Sequence, residues 1–110
     1  MSAIKVYVAG PISRGDQLAN IKAGIDAGEA LAQRGYVPFV PHFNYSWHMH
    51  YPHPVAFWYA YDNEWLPCCD ALLRLPGEST GADNEVHLAI ELGIPIFYSI
   101  KQLDTHYGRP

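Results

Sequence analysis

The sequence predicts an α/β fold in which a mostly parallel sheet of four or five strands is flanked by helices. Short apolar runs of strand length alternate with longer segments in which apolar residues recur every three or four positions. Glycine or proline marks most boundaries between these segments. Strands that alternate with helices are joined by right-handed crossovers, which make neighbouring strands parallel. We therefore expect a single Rossmann-like (flavodoxin-like) domain over residues 1–110.

The first half of the chain is predicted to hold two strands and one long helix. The run IKVYVAG is typical of a short buried strand that ends at Gly10. After the loop PISRGD, apolar residues of the segment 18–34 fall on one side of a helix, which Gly35 stops. The run GYVPFVPHF is the second strand, and Pro38 and Pro41 favour a sheet edge or a strand end.

The second half begins with an aromatic, histidine-rich connection, HFNYSWHMHYPH, over residues 42–53. The segment PVAFWYAYDNEWLPCC is predicted to be a helix, with Pro54 in its first turn and Pro67 ending it. DALLRLP is the third strand, a helix follows the polar loop 76–83, and IPIFYSI is the fourth strand. We expect the polar tail from Lys101 to be partly ordered.

Composition argues against several classes of protein. The net charge is −4 with only seven lysines and arginines, which argues against a protein that wraps a nucleic acid backbone. No stretch approaches the ~20 apolar residues of a membrane span, and no signal peptide is evident at the N-terminus. Cys68 and Cys69 are adjacent, which disfavours a disulfide, and no Cys/His set has the spacing of a zinc site. We expect a cytoplasmic domain without a metal, a cofactor or a membrane contact.

Glu85 lies on a helix face that should be packed away. It borders the apolar side of the helix that follows loop 76–83, where Leu88 and Ala89 also fall. One interpretation is stabilisation of the helix dipole, although polar residues of the loop could do this from the solvent side. The other interpretation is a functional carboxylate, and the spacing alone does not decide between them.

Asp62 raises the same question on the preceding helix. Trp58 lies four residues before it and Trp65 three residues after it, so the carboxylate shares a face with large apolar groups. A buried carboxylate is normally paired, capped or functional, because burying it unpaired is costly. The alternative is an aspartate at the helix edge that bonds to backbone or water.

The loop GPISRGD has groups suited to an anion. It lacks the glycine spacing of a dinucleotide fingerprint and the Gly-Lys-Ser/Thr of a P-loop. Gly10 and Gly15 allow close backbone approach, and Ser13 and Arg14 offer a hydroxyl and a guanidinium. The alternative is an ordinary turn with a solvated arginine. Because this loop and loop 76–83 both follow strands of a parallel sheet, we expect them to open onto one crevice.

The histidines and aromatics of residues 42–53 carry a weaker signal. The spacing of the histidines matches no closed metal site. The aromatic side chains could stack on a base, or they could bury a lid or a dimer contact. Asp70, at the start of the third strand, is expected to be structural.

Several motifs together resemble the nucleoside 2-deoxyribosyltransferase superfamily: VYVAGPISRGD, YDNEWLPCCDALLRLPGESTGADNEVHLA and the helix between them. The branch with the greatest similarity is the 2'-deoxynucleoside 5'-monophosphate N-glycosidases. The resemblance implies that Glu85, four residues after Gly81, is the nucleophile. It implies that Asp62, eight residues before Asp70, assists the leaving base and orients the sugar. It also implies that Tyr7 positions the nucleophile or the ribose.

One position separates two branches of this superfamily. Six residues before the nucleophile, transferases of free nucleosides carry an aspartate and the N-glycosidases carry a serine, and this chain has Ser79. A hydroxyl can donate to a phosphate, whereas a carboxylate would repel it. The SRG tripeptide at residues 13–15 also resembles the phosphate-binding loop of the N-glycosidases. Pro11 and Asp16 depart from that pattern.

The resemblance implies hydrolysis of the N-glycosidic bond of a (deoxy)nucleoside 5'-monophosphate through a covalent Glu85 intermediate, without a cofactor. It also implies a homo-oligomer, a dimer or larger, for which the Trp-rich middle helix could supply the interface. Two alternatives stay open: base exchange by a nucleoside 2-deoxyribosyltransferase, and a nucleotide-binding module or sensor without turnover. The two carboxylates argue mildly against the module, since binding a phosphate needs no added negative charge.

Overall fold

The computed structural model describes residues 3–109. In chain order the strands and helices are β1 (Lys5–Ala9), α1 (Gln17–Gln33), β2 (Val37–Phe39), α2 (Asn44–His50), α3 (Val55–Trp65), β3 (Ala71–Arg74), α4 (Thr80–Glu91), β4 (Ile96–Phe97) and α5 (Ile100–His106). Short 3-10 turns precede α2, at Pro41–Phe43, and follow α3, at Leu66–Cys68.

Within residues 3–109 the strands form one parallel sheet of four strands in the order β2-β1-β3-β4. On the central strand β1, Tyr7 pairs with Phe39 of β2 and with Leu72 of β3. The predicted α/β class, with a parallel, flavodoxin-like sheet between helices, is confirmed. Strand β2 lies at an edge, as Pro38 indicated, because proline has no N–H to donate to a second neighbour.

Successive residues of β1 point to opposite faces of the sheet. Val8 packs on one face with Leu31 of α1 and Leu103 of α5. Tyr7 packs on the other face, in the cluster that contains Ala89 of α4. Tyr7 is fully buried, so this alternation brings its hydroxyl under α4.

The segment 42–53, expected to be an aromatic, histidine-rich connection, contains helix α2. Trp47 of α2 packs edge-on against Trp58 and Tyr61 of α3, at centroid distances of 4.9 and 5.3 Å. None of the α2 residues is buried. The helix is therefore stabilised by ring contacts with α3 rather than by an apolar stripe packed into the core, and a short helix of this kind leaves little periodic signal.

The polar tail forms helix α5, and β4 ends at Phe97, earlier than predicted. The Ser99 hydroxyl accepts a hydrogen bond from the Gln102 amide at 3.1 Å and caps the helix. Leu103 is fully buried. An N-cap and one anchoring leucine thus order a segment whose other residues are mostly polar.

Helix α5 is joined to α1 and β2 by a group that we call the Asp104 network, formed by Arg34, Tyr36, Asp104 and Arg109. Asp104 is only 8% exposed. Its Oδ1 accepts from the Tyr36 hydroxyl at 2.7 Å, and its Oδ2 lies 2.5 Å from Nε of Arg34. Arg109 stacks over the Tyr36 ring at 4.0 Å and donates to the Arg34 carbonyl at 2.8 Å. Both oxygens of this buried carboxylate have partners, one of which is a cation.

Candidate active site

Loops 10–16 and 76–83 touch each other beyond the carboxyl ends of β1 and β3. A Cβ added to Gly77 would lie 2.8 Å from Cγ of Pro11, so the loops meet closely. They open onto one crevice, as expected for loops that follow neighbouring parallel strands. A pocket of about 240 Å³ in this crevice is lined by Gly10, Ile12, Ser13, Arg14, Tyr59, Ser79, Thr80, Gly81, Ala82 and Glu85.

Glu85 lies in this pocket, half-buried in the second turn of α4. The Tyr7 hydroxyl donates a hydrogen bond to its Oε2. This bond joins the centre of the sheet to α4 across 78 residues of sequence. Because α4 begins at Thr80, Glu85 lies beyond the first turn, where stabilisation by the helix dipole has fallen off. The structure therefore favours the functional interpretation of its inward position over the dipole.

Asp62 is the one buried residue of α3, with 5% of its surface exposed. Its Oδ1 accepts a hydrogen bond of 2.8 Å from Nδ2 of Asn44, the first residue of α2. The alternative of an aspartate at a helix edge, bonded to backbone or water, does not describe this environment. The carboxylate is instead held by a neutral side-chain amide from another helix.

Burial raises the pKa of both carboxyls to about 7. The pKa of Glu85 is lowered by the Tyr7 hydrogen bond and by the Arg74 charge, and it is raised by the nearby Asp62. The pKa of Asp62 is lowered by the hydrogen bond from Asn44. Burial and the nearby Glu85 raise the pKa of Tyr7, which stays a phenol. Within residues 3–109 no cationic side chain forms an ion pair with either carboxyl. Near neutral pH the two can divide the roles of acid and nucleophile between them.

Ser79 and Gly81 lie at the start of α4, where both line the pocket. The Ser79 Oγ accepts from the Ala82 amide at 3.1 Å and caps the helix. Its hydroxyl proton remains free to donate to a ligand. A Cβ on Gly81 would lie 3.0 Å from the ring of Tyr59, so glycine allows α3 to approach the loop. Tyr59 was not among the residues predicted for the site.

Three of the four residues of loop 10–16 that were predicted to bind an anion line the pocket. Gly10, Ser13 and Arg14 line the pocket, whereas Gly15 lies outside its lining and has a φ of 80°, which favours glycine. Arg14 pairs with Glu78 at 2.8 Å, and both side chains are largely exposed. Such a pair contributes little to stability, so an anion can replace Glu78 at small cost.

A second pocket of about 330 Å³ adjoins the first, because Ile12 and Ser13 line both. Its lining is mostly apolar and aromatic and comprises Ile12, Ser13, Gln17, Pro41, Asn44, Tyr45, His48, His53, Val55, Trp58 and Asp62. Asp62 faces this pocket and Glu85 faces the other. The crevice therefore has a polar half under the two loops and an aromatic half between α2 and α3.

Sequence reasoning missed two polar residues that hold this arrangement, Asn44 and Arg74. The Arg74 guanidinium, 11% exposed, donates to the carbonyls of Leu75 and Gly77 and pairs with Asp83 at 3.0 Å. It thereby holds loop 76–83 in shape. An arginine ending the apolar run of β3 was a usable signal. Asn44 gave none, because its segment was interpreted only as an aromatic, histidine-rich connection.

Histidines and cysteines of the described residues form no metal-binding set. Nδ1 of His48 accepts from Nε1 of Trp58 at 2.9 Å and from the His53 amide at 3.2 Å. Cys68 and Cys69 are free thiols. Between residues 3 and 109, no group of three or more His, Cys, Asp or Glu side chains could hold a metal ion. Over the same range, no helix has the length and apolar character to cross a bilayer.

Comparison with known proteins gives a family match and a structural neighbour. The family model "Domain of unknown function (DUF4406)" matches residues 4–98. A solved structure of a 2-deoxyribosyltransferase from the psychrotolerant bacterium Bacillus psychrosaccharolyticus is similar, with a TM-score of 0.63 and 24% sequence identity. The match covers 84% of this chain and 69% of that chain, and it shows a shared fold. No curated protein is significantly similar to the sequence.

Proposed function

The chain belongs to the DUF4406 family, and we propose that it hydrolyses the N-glycosidic bond of a (deoxy)nucleoside 5'-monophosphate. The observation that carries this proposal is the pair Glu85 and Asp62, two carboxyls that face adjoining halves of one crevice and form no ion pair within residues 3–109. Their pKa values of about 7 suit one acid and one nucleophile. The structural neighbour is a 2-deoxyribosyltransferase, which supports chemistry at the glycosidic carbon.

In this mechanism the ionised Glu85 carboxylate attacks C1' of the sugar. The new C1'–O bond forms as the C1'–N bond to the base breaks, through a transition state with oxocarbenium character. Protonated Asp62 gives its proton to the departing base. Water then attacks C1' and gives a proton to the Asp62 carboxylate as the C1'–O bond to Glu85 breaks, which releases the sugar 5-phosphate and restores both carboxyls. The Tyr7 hydrogen bond holds the nucleophile and favours its ionised form.

The two halves of the crevice suit different parts of a nucleotide. In the polar half, Ser13, Arg14 and Ser79 offer donors for a phosphate, and Gly10 and Gly81 leave room for it. Gly15 gives the first loop its backbone freedom. The other half has aromatic walls on which a base can stack. A base bound there would have Asp62 beside it, where the leaving group needs its proton.

Two alternatives make different predictions. A nucleoside 2-deoxyribosyltransferase would prefer unphosphorylated nucleosides and a second base as acceptor, and Ser79 argues against it because a carboxylate would suit a 5'-hydroxyl better. A nucleotide-binding module would retain its ligand intact through purification. The raised pKa values of Glu85 and Asp62 argue against the module, since binding alone gives no reason to bury two such carboxyls.

We also propose that the chain forms a homo-oligomer through α3. This helix exposes Val55, Phe57, Tyr59 and Trp65 by 62, 36, 42 and 45%. So many exposed large apolar side chains on one helix are typical of an interaction surface. Light scattering that gave the mass of one chain at micromolar concentration would contradict this assembly.

Base release is the direct test of the proposed reaction. The protein is incubated with ribo- and deoxyribonucleoside 5'-monophosphates and with the matching nucleosides, and free base is separated by chromatography. We expect base from one or more monophosphates and a loss of at least about 10³-fold in Glu85→Gln, because the nucleophile is gone. Glu91→Gln is the matched control, since Glu91 is exposed on the same helix. Undiminished release by folded Glu85→Gln would exclude the mechanism.

A further inference from the structure

We propose that Asn20 and His42 are positioning residues that turn the backbone amides of loop 10–16 toward the crevice, where they bind a phosphate. This inference rests on the proposed function, which assigns the phosphate to the polar half of the crevice. It concerns how the loop recognises an anion in a chain with a net charge of −4.

The carbonyl oxygens of three residues in loop 10–16 are hydrogen-bonded by side chains that lie outside the crevice lining. Nδ2 of Asn20 donates to the carbonyl oxygens of Ile12 at 3.2 Å and Arg14 at 2.6 Å. Nε2 of His42 lies 3.2 Å from the carbonyl oxygen of Pro11. Because a carbonyl oxygen only accepts, His42 must carry its proton on Nε2. Neither Asn20 nor His42 lines either half of the crevice, whereas Ile12 lines both.

The direction of the amides follows from these bonds. The structure has no cis peptide among its described residues, so each carbonyl points opposite to the N–H of the next residue. With the carbonyls held by Asn20 and His42, the N–H groups of Ile12, Ser13 and Gly15 point away from those two side chains. Ile12 and Ser13 line the crevice, and Gly15 follows them in the loop. Within residues 3–109 these amides donate to no backbone acceptor. Successive backbone N–H groups without backbone acceptors can form an anion site that needs no charged side chain.

His42 has an unusual environment that supports this role. It is 1% exposed, and its Nδ1 is a buried side-chain nitrogen with no hydrogen-bond partner. Its ring sits on Gly24, where a Cβ would lie 2.3 Å from the ring. Burial lowers the pKa of His42, so the ring is neutral near pH 7. An apolar side chain would fill this space without leaving Nδ1 unpaired. The bond to the Pro11 carbonyl is what histidine adds.

The test is a titration of the whole chain with inorganic phosphate, monitored by ¹⁵N–¹H NMR. A titration with chloride at matched ionic strength is the reference. We expect saturable shifts at the amides of Ile12, Ser13 and Gly15. Asn20→Ala should bind phosphate at least about tenfold more weakly, because the loop amides lose their orientation and hydrogen bonds to an anion are strong. Alanine suits this helical position, so the fold should persist. The control Lys22→Ala removes an exposed cation of α1 and should bind as the wild type does.

A second variant separates positioning from folding. His42→Phe removes the bond to the Pro11 carbonyl together with the unpaired Nδ1, so phosphate affinity should fall, and urea denaturation checks that the variant is folded under the conditions of the titration. Phosphate that binds elsewhere or not at all, or an Asn20→Ala protein that binds it as tightly as the wild type, would overturn the proposal. Phosphate binding at these amides without base release would contradict the proposed reaction alone. Base release with an unchanged KM in Asn20→Ala would contradict this inference alone.

Discussion

The protein buries carboxylates in two regions, and it stabilises them differently. In the Asp104 network the carboxylate accepts from the Tyr36 hydroxyl and pairs with Arg34. In the crevice Glu85 also accepts a hydrogen bond from a tyrosine hydroxyl, that of Tyr7. Within residues 3–109, however, Glu85 forms no ion pair. A tyrosine donor is common to both regions. The cation is what distinguishes them.

This difference supports the proposal that the crevice, rather than the Asp104 network, carries the chemistry. A buried carboxylate with a cationic partner stays charged and fastens elements together. A buried carboxylate without one takes up a proton near neutral pH, which is of little use to stability but suits proton transfer and nucleophilic attack. The fold can satisfy a buried carboxylate completely, as it does at Asp104. The incomplete satisfaction of Glu85 and Asp62 therefore supports a role in function.

The largest effect should come from neutralising one carboxylate in each region. Asp62→Asn should lower base release by about 10²–10⁴-fold, because the proton donor is lost, and should leave stability equal or higher. Asp104→Asn should lower the free energy of unfolding by about 1–3 kcal/mol, since the ion pair with Arg34 is lost while the Arg34 side chain is partly solvated. Urea denaturation and base release are measured on both variants.

The two variants test the comparison only if their effects separate. Asp104→Asn, measured below its unfolding transition, should release base within about twofold of the wild type, because the network lies outside both pockets. A large loss of stability in Asp62→Asn would instead assign that carboxylate a structural role like that of Asp104.

A smaller effect on the free energy of unfolding should come from pH, and it should distinguish the crevice carboxyls from Asp104. Glu85 and Asp62 have pKa values of about 7 in the folded chain and of about 4 when unfolded. A carboxyl whose pKa rises on folding contributes stability that is fully present below about pH 4 and is lost as pH rises through about 7. The free energy of unfolding of the wild type, relative to the double variant Glu85→Gln with Asp62→Asn, should therefore fall between these pH values. A difference that rises with pH would show that the crevice carboxyls are held ionised.

Local patterns predicted the fold and the orientation of the two carboxylates, but not their partners. Strand and helix periodicity lies within short windows, so the sheet and the inward faces of Asp62 and Glu85 could be predicted from spacing. The partner of Asp62 is 18 residues away, on helix α2, none of whose residues is buried. Tyr36 and Asp104 are separated by 68 residues. Contacts over such distances depend on packing that no window of the sequence contains.

The smallest effect should come from Asn44, which donates to Asp62 as Arg34 does to Asp104, but without a charge. This bond lowers the pKa of Asp62. It also occupies Oδ1, so the proton of the acid sits on Oδ2. Asn44→Ala should raise the pKa of Asp62 further and move the alkaline limb of the pH–rate profile of kcat/KM to higher pH. The maximal rate should fall by less than about tenfold.

Asn84→Ala is the matched control for this prediction, because Asn84 is exposed on α4 and bonds to neither carboxyl. Its pH–rate profile should coincide with that of the wild type. An acidic limb that moved to higher pH in Asn44→Ala, with the alkaline limb unchanged, would mean that Asp62 acts as an ionised group. The crevice would then resemble the Asp104 network in keeping its carboxylate charged, and the acid in the proposed mechanism would have to be another group.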